Sequence, residues 1–242
     1  MVVRAVSQSQ INLYRSCPYA YFLQYHLKKQ PIMYDPSIME VGRRVHDAID
    51  AYYKGCYSNE TGEENILAET YGILRSEWDT TLPANYLKKA HTCIVNFAKW
   101  EANNIGHLAT KPITEIKIYS GDLMGVVDYL DLNKPKAVDF KTNTRAMLNH
   151  DYKMQAVMYK LLIKNKFAID INNFSFLFLF TGETKDVYVN GGTLLEIEKE
   201  LIMYKDKILE SWKTMNFPKQ PRTSCKGCAF KYYCGGVDGN SN

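Results

Sequence analysis

"GVVDYLDLNKPKAVDFKT", residues 125–142, reads as two short apolar strands around a turn, with Asp128, Asp139 and Lys141 set into the apolar run. A carboxylate buried alone is costly, so these three side chains need an explanation. With Asn133 and Lys134 as a two-residue turn, Leu132 pairs with Pro135, Leu130 with Ala137, and Asp128 falls opposite Asp139. Opposed residues hold their Cβ atoms about 5 Å apart on one face, and Lys141, two residues on, shares that face. Two like charges this close repel unless a cation lies between them. A divalent metal removes the conflict, and Lys141 then stands where it can position or deprotonate an attacking water. The other reading is a solvent-facing hairpin with a surface Asp–Lys pair. Val126, Val127, Val138 and Phe140 favour partial burial, yet the hairpin by itself leaves both readings open.

Outward from the hairpin, the sequence changes period. Upstream it reads as helices: one from Ser7, with Gln10 completing a capping box, to about Leu27; one starting near Pro36; and two over 63–78 and 84–104. Strands follow at 112–120, 123–132 and 136–142, then a helix at 149–165. A hairpin around Thr181-Gly182 and a helix from about Thr193 to Met215 come next. The order, helices and then βββαββ, a helix and a cysteine-rich tail, lacks the regular alternation of a doubly wound fold and predicts a mixed α/β core.

Composition bounds the function. With 242 residues, 46% apolar and 23% charged, the chain suits a globular domain. A net charge of +4 permits nucleic acid as a partner without arguing for it. The longest apolar run, "FSFLFLF" at 174–180, is strand-sized, so no membrane span is expected. "MVVRAVSQSQ" carries no visible secretory signal. A reducing cytoplasm is the expected compartment, which leaves six cysteines needing a reading other than disulfides. Cys56 and Cys93 sit alone in helical patterns and read as small buried residues. Cys225, Cys228 and Cys234 form C-x2-C-x5-C, a metal-binding spacing that needs a fourth ligand. Spacing does not separate zinc from iron–sulfur.

Asp128, ten residues, then Asp139-Phe140-Lys141 resembles the signature of the PD-(D/E)XK nuclease superfamily. More narrowly, the chain is similar to the RecB-type exonucleases, including CRISPR-associated and viral relatives. The resemblance covers about Ser7 to Cys234 and implies a restriction-endonuclease-like sheet. It matches His46 in "GRRVHDAI" to a metal-ligating histidine, and Gln155 and Tyr159 in "QAVMY" to residues on the helix after the lysine strand. It also matches Cys17 in "YRSCPYAYF", with Cys225, Cys228 and Cys234, to ligands of a 4Fe–4S cluster, zinc being the rival occupant. Asp139 stands where many relatives carry Glu, which the signature allows.

The implied activity is hydrolysis of DNA phosphodiesters by an exonuclease dependent on Mg²⁺ or Mn²⁺, on single-stranded DNA or frayed ends. Asp128, Asp139, His46 and the Phe140 carbonyl hold the metal, and Lys141 assists the nucleophilic water. The implied layout is one nuclease domain over 1–242: a helical region (1–110), the nuclease core (111–215), and a tail (216–242) packing with Cys17. Two rivals are a non-catalytic DNA-binding or assembly module and a paired-carboxylate hydrolase such as a glycosidase. Several side chains have a plainer reading. His46 also suits a helix core beside Val45 and Ile49, and Glu115 a strand surface. Tyr159 suits packing on the sheet; so do Tyr14, Tyr21 and Tyr25, which with Arg15, Arg43 and Arg44 are otherwise candidates to bind single strands.

Overall fold

The computed structural model describes residues 5–32, 35–58, 62–78, 80–105, 111–221 and 223–235. Its helices are α1 (Gln8–Ser16), α2 (Pro18–Tyr21), α3 (Ser37–Gly55), α4 (Glu63–Ser76), α5 (Ala84–Ile105), α6 (His150–Phe167), α7 (Gly191–Thr214) and α8 (Lys231–Cys234). A π-turn at Phe22–His26 follows α2, and a 3-10 turn at Thr223–Gly227 precedes α8. The strands are β1 (Ile113–Ser120), β2 (Leu123–Asp131), β3 (Lys136–Lys141), β4 (Asn173–Phe178) and β5 (Glu183–Tyr188).

The strands form one mixed sheet in the order β1-β2-β3-β4-β5. All neighbours are antiparallel except β3 and β4, which run parallel. A parallel pair needs a crossover, and α6 supplies it. The sheet is covered on both faces. Tyr129, Val138, Phe140 and Leu177 face the α3–α5 layer, together with the buried Cys93. Val127, Leu130, Ala137, Phe174 and Phe176 face α1, α6 and α7. Buried from both sides, α6 is apolar around most of its circumference.

Three local expectations are corrected. The first helix does not run to Leu27. It breaks at Cys17, which is extended (φ −164°, ψ 115°) because the residue before a proline is driven out of the helical region, and Pro18 then opens α2. Ser7 still caps α1, accepting from the Gln10 N–H at 3.3 Å. The turn between β2 and β3 spans residues 132–135, so Leu132 and Pro135 do not pair. Asp131 Oδ1 closes it by accepting from the Asn133 and Lys134 N–H groups at 2.8 and 3.2 Å. The ladder keeps Leu130 opposite Ala137 but ends at Tyr129–Val138, one residue short of the two aspartates.

Among the described residues no helix is long and apolar enough to cross a membrane.

Candidate active site

The ladder stops at Asp128 because both strands beside it change phase there. In β1, Ile118 is buried on the α6 side and Ile116 packs against the same core, as does Ile113, which breaks a period of two. In β2, Val127 and Leu130 share the α6-side core while Tyr129 faces the opposite layer. The slip falls at Glu115 and Asp128, between the pairs Thr114–Tyr129 and Ile116–Val127. Glu115 has φ 46°, a left-handed conformation that glutamate rarely adopts and that clusters at functional sites.

The slip brings Asp128 against α3. Asp128 Oδ2 accepts from the Phe140 N–H at 2.7 Å and lies 3.6 Å from His46 Nδ1; Glu115 Oε1 lies 3.3 Å from the same nitrogen. Gly42, one turn before His46, lets α3 pass close to the residue after β3, where a Cβ would sit 3.1 Å from Thr142 Oγ1. One ligand atom from each of His46, Glu115 and Asp128 falls within 4.8 Å of the others, a set that can hold a metal ion.

Asp139, 2% exposed, is served from the other side of the sheet. Gln155 Nε2 donates to Asp139 Oδ1 at 2.6 Å and to Tyr159 Oη at 3.0 Å, while Gln155 Oε1 accepts from Lys141 Nζ at 3.3 Å. Asp139 Oδ2 is 2.5 Å from Lys141 Nζ, a tight charge-assisted contact. The Lys141 ammonium also lies 5.3 Å from the Tyr152 ring centroid and 5.7 Å from that of Phe176.

The electrostatics are those of a site holding excess negative charge. Burial, and then the adjacent Asp139 charge, push Asp128 up to about 8. Burial by itself disfavours the His46 imidazolium, but the Asp128 and Glu115 carboxylates outweigh it and hold the ring at about 9. Lys141 is likewise raised, burial being outweighed by Asp139. A lysine so held is a fixed cation, which suits orienting a water better than deprotonating one.

At the other end of α1, Cys17, Cys228 and Cys234 pack around buried Ala20, Leu23 and Phe230. All four cysteines, Cys225 included, line one cavity of about 300 Å³. The Phe230 N–H donates to Cys228 Sγ at 3.4 Å. Among the described residues no three cysteine sulfurs come within 4.8 Å of one another.

The tyrosine stripe resolves to packing: Tyr14 and Tyr21 are buried, with Tyr14 Oη 2.7 Å from Ser211 Oγ. Arg43 and Arg44 are both paired with Glu40. Of the other histidines, His107 lies outside the described residues.

Glu115 and Tyr152 were not separable from surface and core residues by sequence. Glu115 becomes visible once β1 is registered on β2. Tyr152 has only its place three residues before Gln155 to mark it.

A sequence model of the PD-(D/E)XK nuclease superfamily matches residues 5–235. The chain belongs to that superfamily, and the five-stranded mixed sheet with helices on both faces agrees with its restriction-endonuclease-like fold. The class implies a nuclease acting on nucleic acid with a divalent metal. The solved structure described as "Crystal structure of SSO0001" is 16% identical over 92% of this chain and 94% of that one, with a TM-score of 0.36, too distant to bear on function. No curated protein matches the chain.

Proposed function

We propose that the protein is a Mg²⁺- or Mn²⁺-dependent DNA exonuclease of the RecB type, acting on single strands or frayed ends. The observation that carries the catalytic part is the pair of buried carboxylates, Asp128 and Asp139, beside the half-buried Lys141. His46, Asp128 and Asp139, with the Phe140 carbonyl, would hold the metal, and Glu115 adds a further carboxylate. A bound divalent ion supplies Lewis-acid stabilisation of the phosphate and a more acidic water. Lys141 orients that water and its ammonium offsets charge developing on the phosphate. Gln155 fixes Asp139 and Lys141 relative to each other, and the Tyr159 hydroxyl anchors Gln155. A glycosidase would leave Lys141 and Gln155 without a role.

The cysteine cavity supports a 4Fe–4S cluster held by Cys17, Cys225, Cys228 and Cys234. Tetrahedral zinc at about 2.3 Å from each sulfur needs sulfurs roughly 3.8 Å apart. The family resemblance favours a 4Fe–4S cluster over zinc, and analysis for iron and labile sulfide separates the two. On this reading the chain is one nuclease domain whose tail closes on the N-terminal helices.

The test is digestion of end-labelled single-stranded and duplex DNA with Mn²⁺. Wild-type protein should shorten the single strand from an end. Asp139→Ala and Lys141→Ala should lose at least 100-fold in rate while keeping their thermal transitions. Cleavage by Asp139→Ala at the wild-type rate would falsify the site.

A further inference from the structure

We propose that the cysteine-bearing end of the protein is a second contact surface for single-stranded nucleic acid, where Tyr232 and Tyr233 stack bases and Lys29, Lys219 and Lys231 hold phosphates.

Charge segregation is the first observation. Residues 1–34 and 211–237 contain nine of the chain's 30 Lys and Arg and none of its 26 Asp and Glu. The remaining sequence is therefore net acidic, and the whole positive excess belongs to these two segments. They meet in space: the Ile32 N–H donates to the Ala229 carbonyl at 2.8 Å, and Leu23 packs with Phe230. These segments bring no acids of their own; Arg15 pairs with Asp151 and Glu200 and Lys213 with Glu210, while Lys29, Lys219 and Lys231 lie at exposed or half-buried aromatic rings, an arrangement that suits a polyanion.

The second observation is aromatic. Tyr232 is 70% exposed and Tyr233 38%, on α8, a helix with no buried residue. Packing does not account for them. Each lies under a lysine: Lys231 Nζ is 4.9 Å from the Tyr232 ring centroid and Lys29 Nζ is 5.6 Å from that of Tyr233. Lys219 Nζ lies 5.0 Å from the Tyr19 ring centroid and donates to the Cys234 carbonyl at 2.8 Å. Alternating cations and exposed ring faces are what single strands require: stacking for bases and ammonium groups for the backbone. A duplex keeps its bases stacked on each other and offers these rings nothing.

The third observation is the route to the active site. Arg15, two residues before Cys17, pairs with Asp151, and Gln8 Nε2 donates to the Asp151 carbonyl at 3.1 Å. Asp151 lies one helical turn before Gln155. The helix that leads into the cysteine-bearing end thus contacts the helix that carries Gln155. The proposal deepens the nuclease reading and rests on it for that direction only.

The test separates binding from cleavage. Binding of a fluorescent 20-residue oligothymidylate is measured by anisotropy in EDTA at several salt concentrations; hydrolysis of thymidine 5′-(p-nitrophenyl phosphate), too short to reach the surface, is measured with Mn²⁺. Tyr232→Ala with Tyr233→Ala should weaken binding about tenfold or more, whereas Tyr232→Phe, which keeps the ring, should not. Lys29→Ala with Lys231→Ala should lower the slope of log affinity against log salt by roughly 0.7 per lysine. Hydrolysis of the small ester should be unchanged in all of them. Unaltered affinity and salt slope in these variants overturns the proposal, as does wild-type binding to duplex or to anionic vesicles in place of the oligonucleotide. If the variants lose binding but wild-type protein cleaves nothing, the surface stands and the nuclease reading falls. If the ester is cleaved and the variants bind normally, the surface falls and the nuclease reading stands.

Discussion

Glu115 holds a left-handed conformation inside a strand, at a cost of about 1 kcal/mol or more. Its carboxylate adds to the negative charge around Asp128. Both terms are relieved in Glu115→Gly, so in EDTA this variant should melt no lower than wild type and up to a few degrees higher. With one carboxylate fewer around His46, the Mn²⁺ needed for half-maximal rate should rise about tenfold. A lower melting point with an unmoved metal titration would mark Glu115 as structural. Glu101 is the other costly acid, buried in α5 with only Oε2 hydrogen-bonded, to Tyr53 Oη at 2.6 Å. Burial raises it from 4.5 to about 7, so the folded state holds this proton more tightly than the unfolded chain. Its stabilising contribution is complete below 4.5 and is lost as pH rises through 7, to the extent of on the order of 3 kcal/mol. Glu101→Gln should therefore gain stability over wild type by urea melts at pH 8 but not at pH 4.5. An equal difference at both pH values would exclude the effect.

At the scale of elements, β2 and α6 are fitted at Gly125. A Cβ there would stand 2.7 Å from Tyr159 Cε1 and 2.9 Å from Leu162 Cδ1, both in a packed core. Gly125→Ala must move Tyr159, whose hydroxyl accepts from the Gln155 amide that also binds Asp139. The expected loss is about 1–3 kcal/mol of stability and on the order of 100-fold in cleavage rate. Gly72 on α4 has nothing within 4 Å of its Cβ position, so Gly72→Ala should stabilise its helix and leave the rate alone. Cleavage at the wild-type rate in Gly125→Ala would show that Gln155 does not need the Tyr159 anchor. The β1–β2 change of facing belongs to this scale too, since the two strands shift together and keep their register from Thr114–Tyr129 to Ile116–Val127.

For the whole molecule, the cysteine cavity ties the corner after α1 to the 3-10 turn and α8, elements 208 residues apart at Cys17 and Cys225. A cluster there constrains both ends, so its loss should loosen them and lower stability. Anaerobically purified wild type should be brown, with iron and labile sulfide. Cys17→Ser should bleach it and speed hydrogen exchange in α2 and α8 before the sheet. Cys93→Ser, whose side chain lies in the α3–α5 core, should keep the colour. Stoichiometric zinc without iron or sulfide would leave a zinc staple in its place.

Short-range patterns determined much of this protein. Residue period placed the helices, the strands and the Leu130–Ala137 register, because secondary structure follows from neighbours a few residues apart. The order Asp128, Asp139-Phe140-Lys141, with His46, Gln155 and Tyr159 at their places, was legible as a nuclease signature. Tertiary structure alone decided how those residues meet. Strict alternation puts Asp128 and Asp139 in one flat row. The slip at Glu115 instead turns Asp128 toward His46 while Asp139 remains with Gln155; the break in period at Ile113, Ile116 and Ile118 is visible in β1, but which helix Asp128 then meets is not. Likewise the basic and aromatic residues near the two ends read as scattered surface until the chain brings them together. Proximity across some 200 residues is set by packing, which no local pattern encodes.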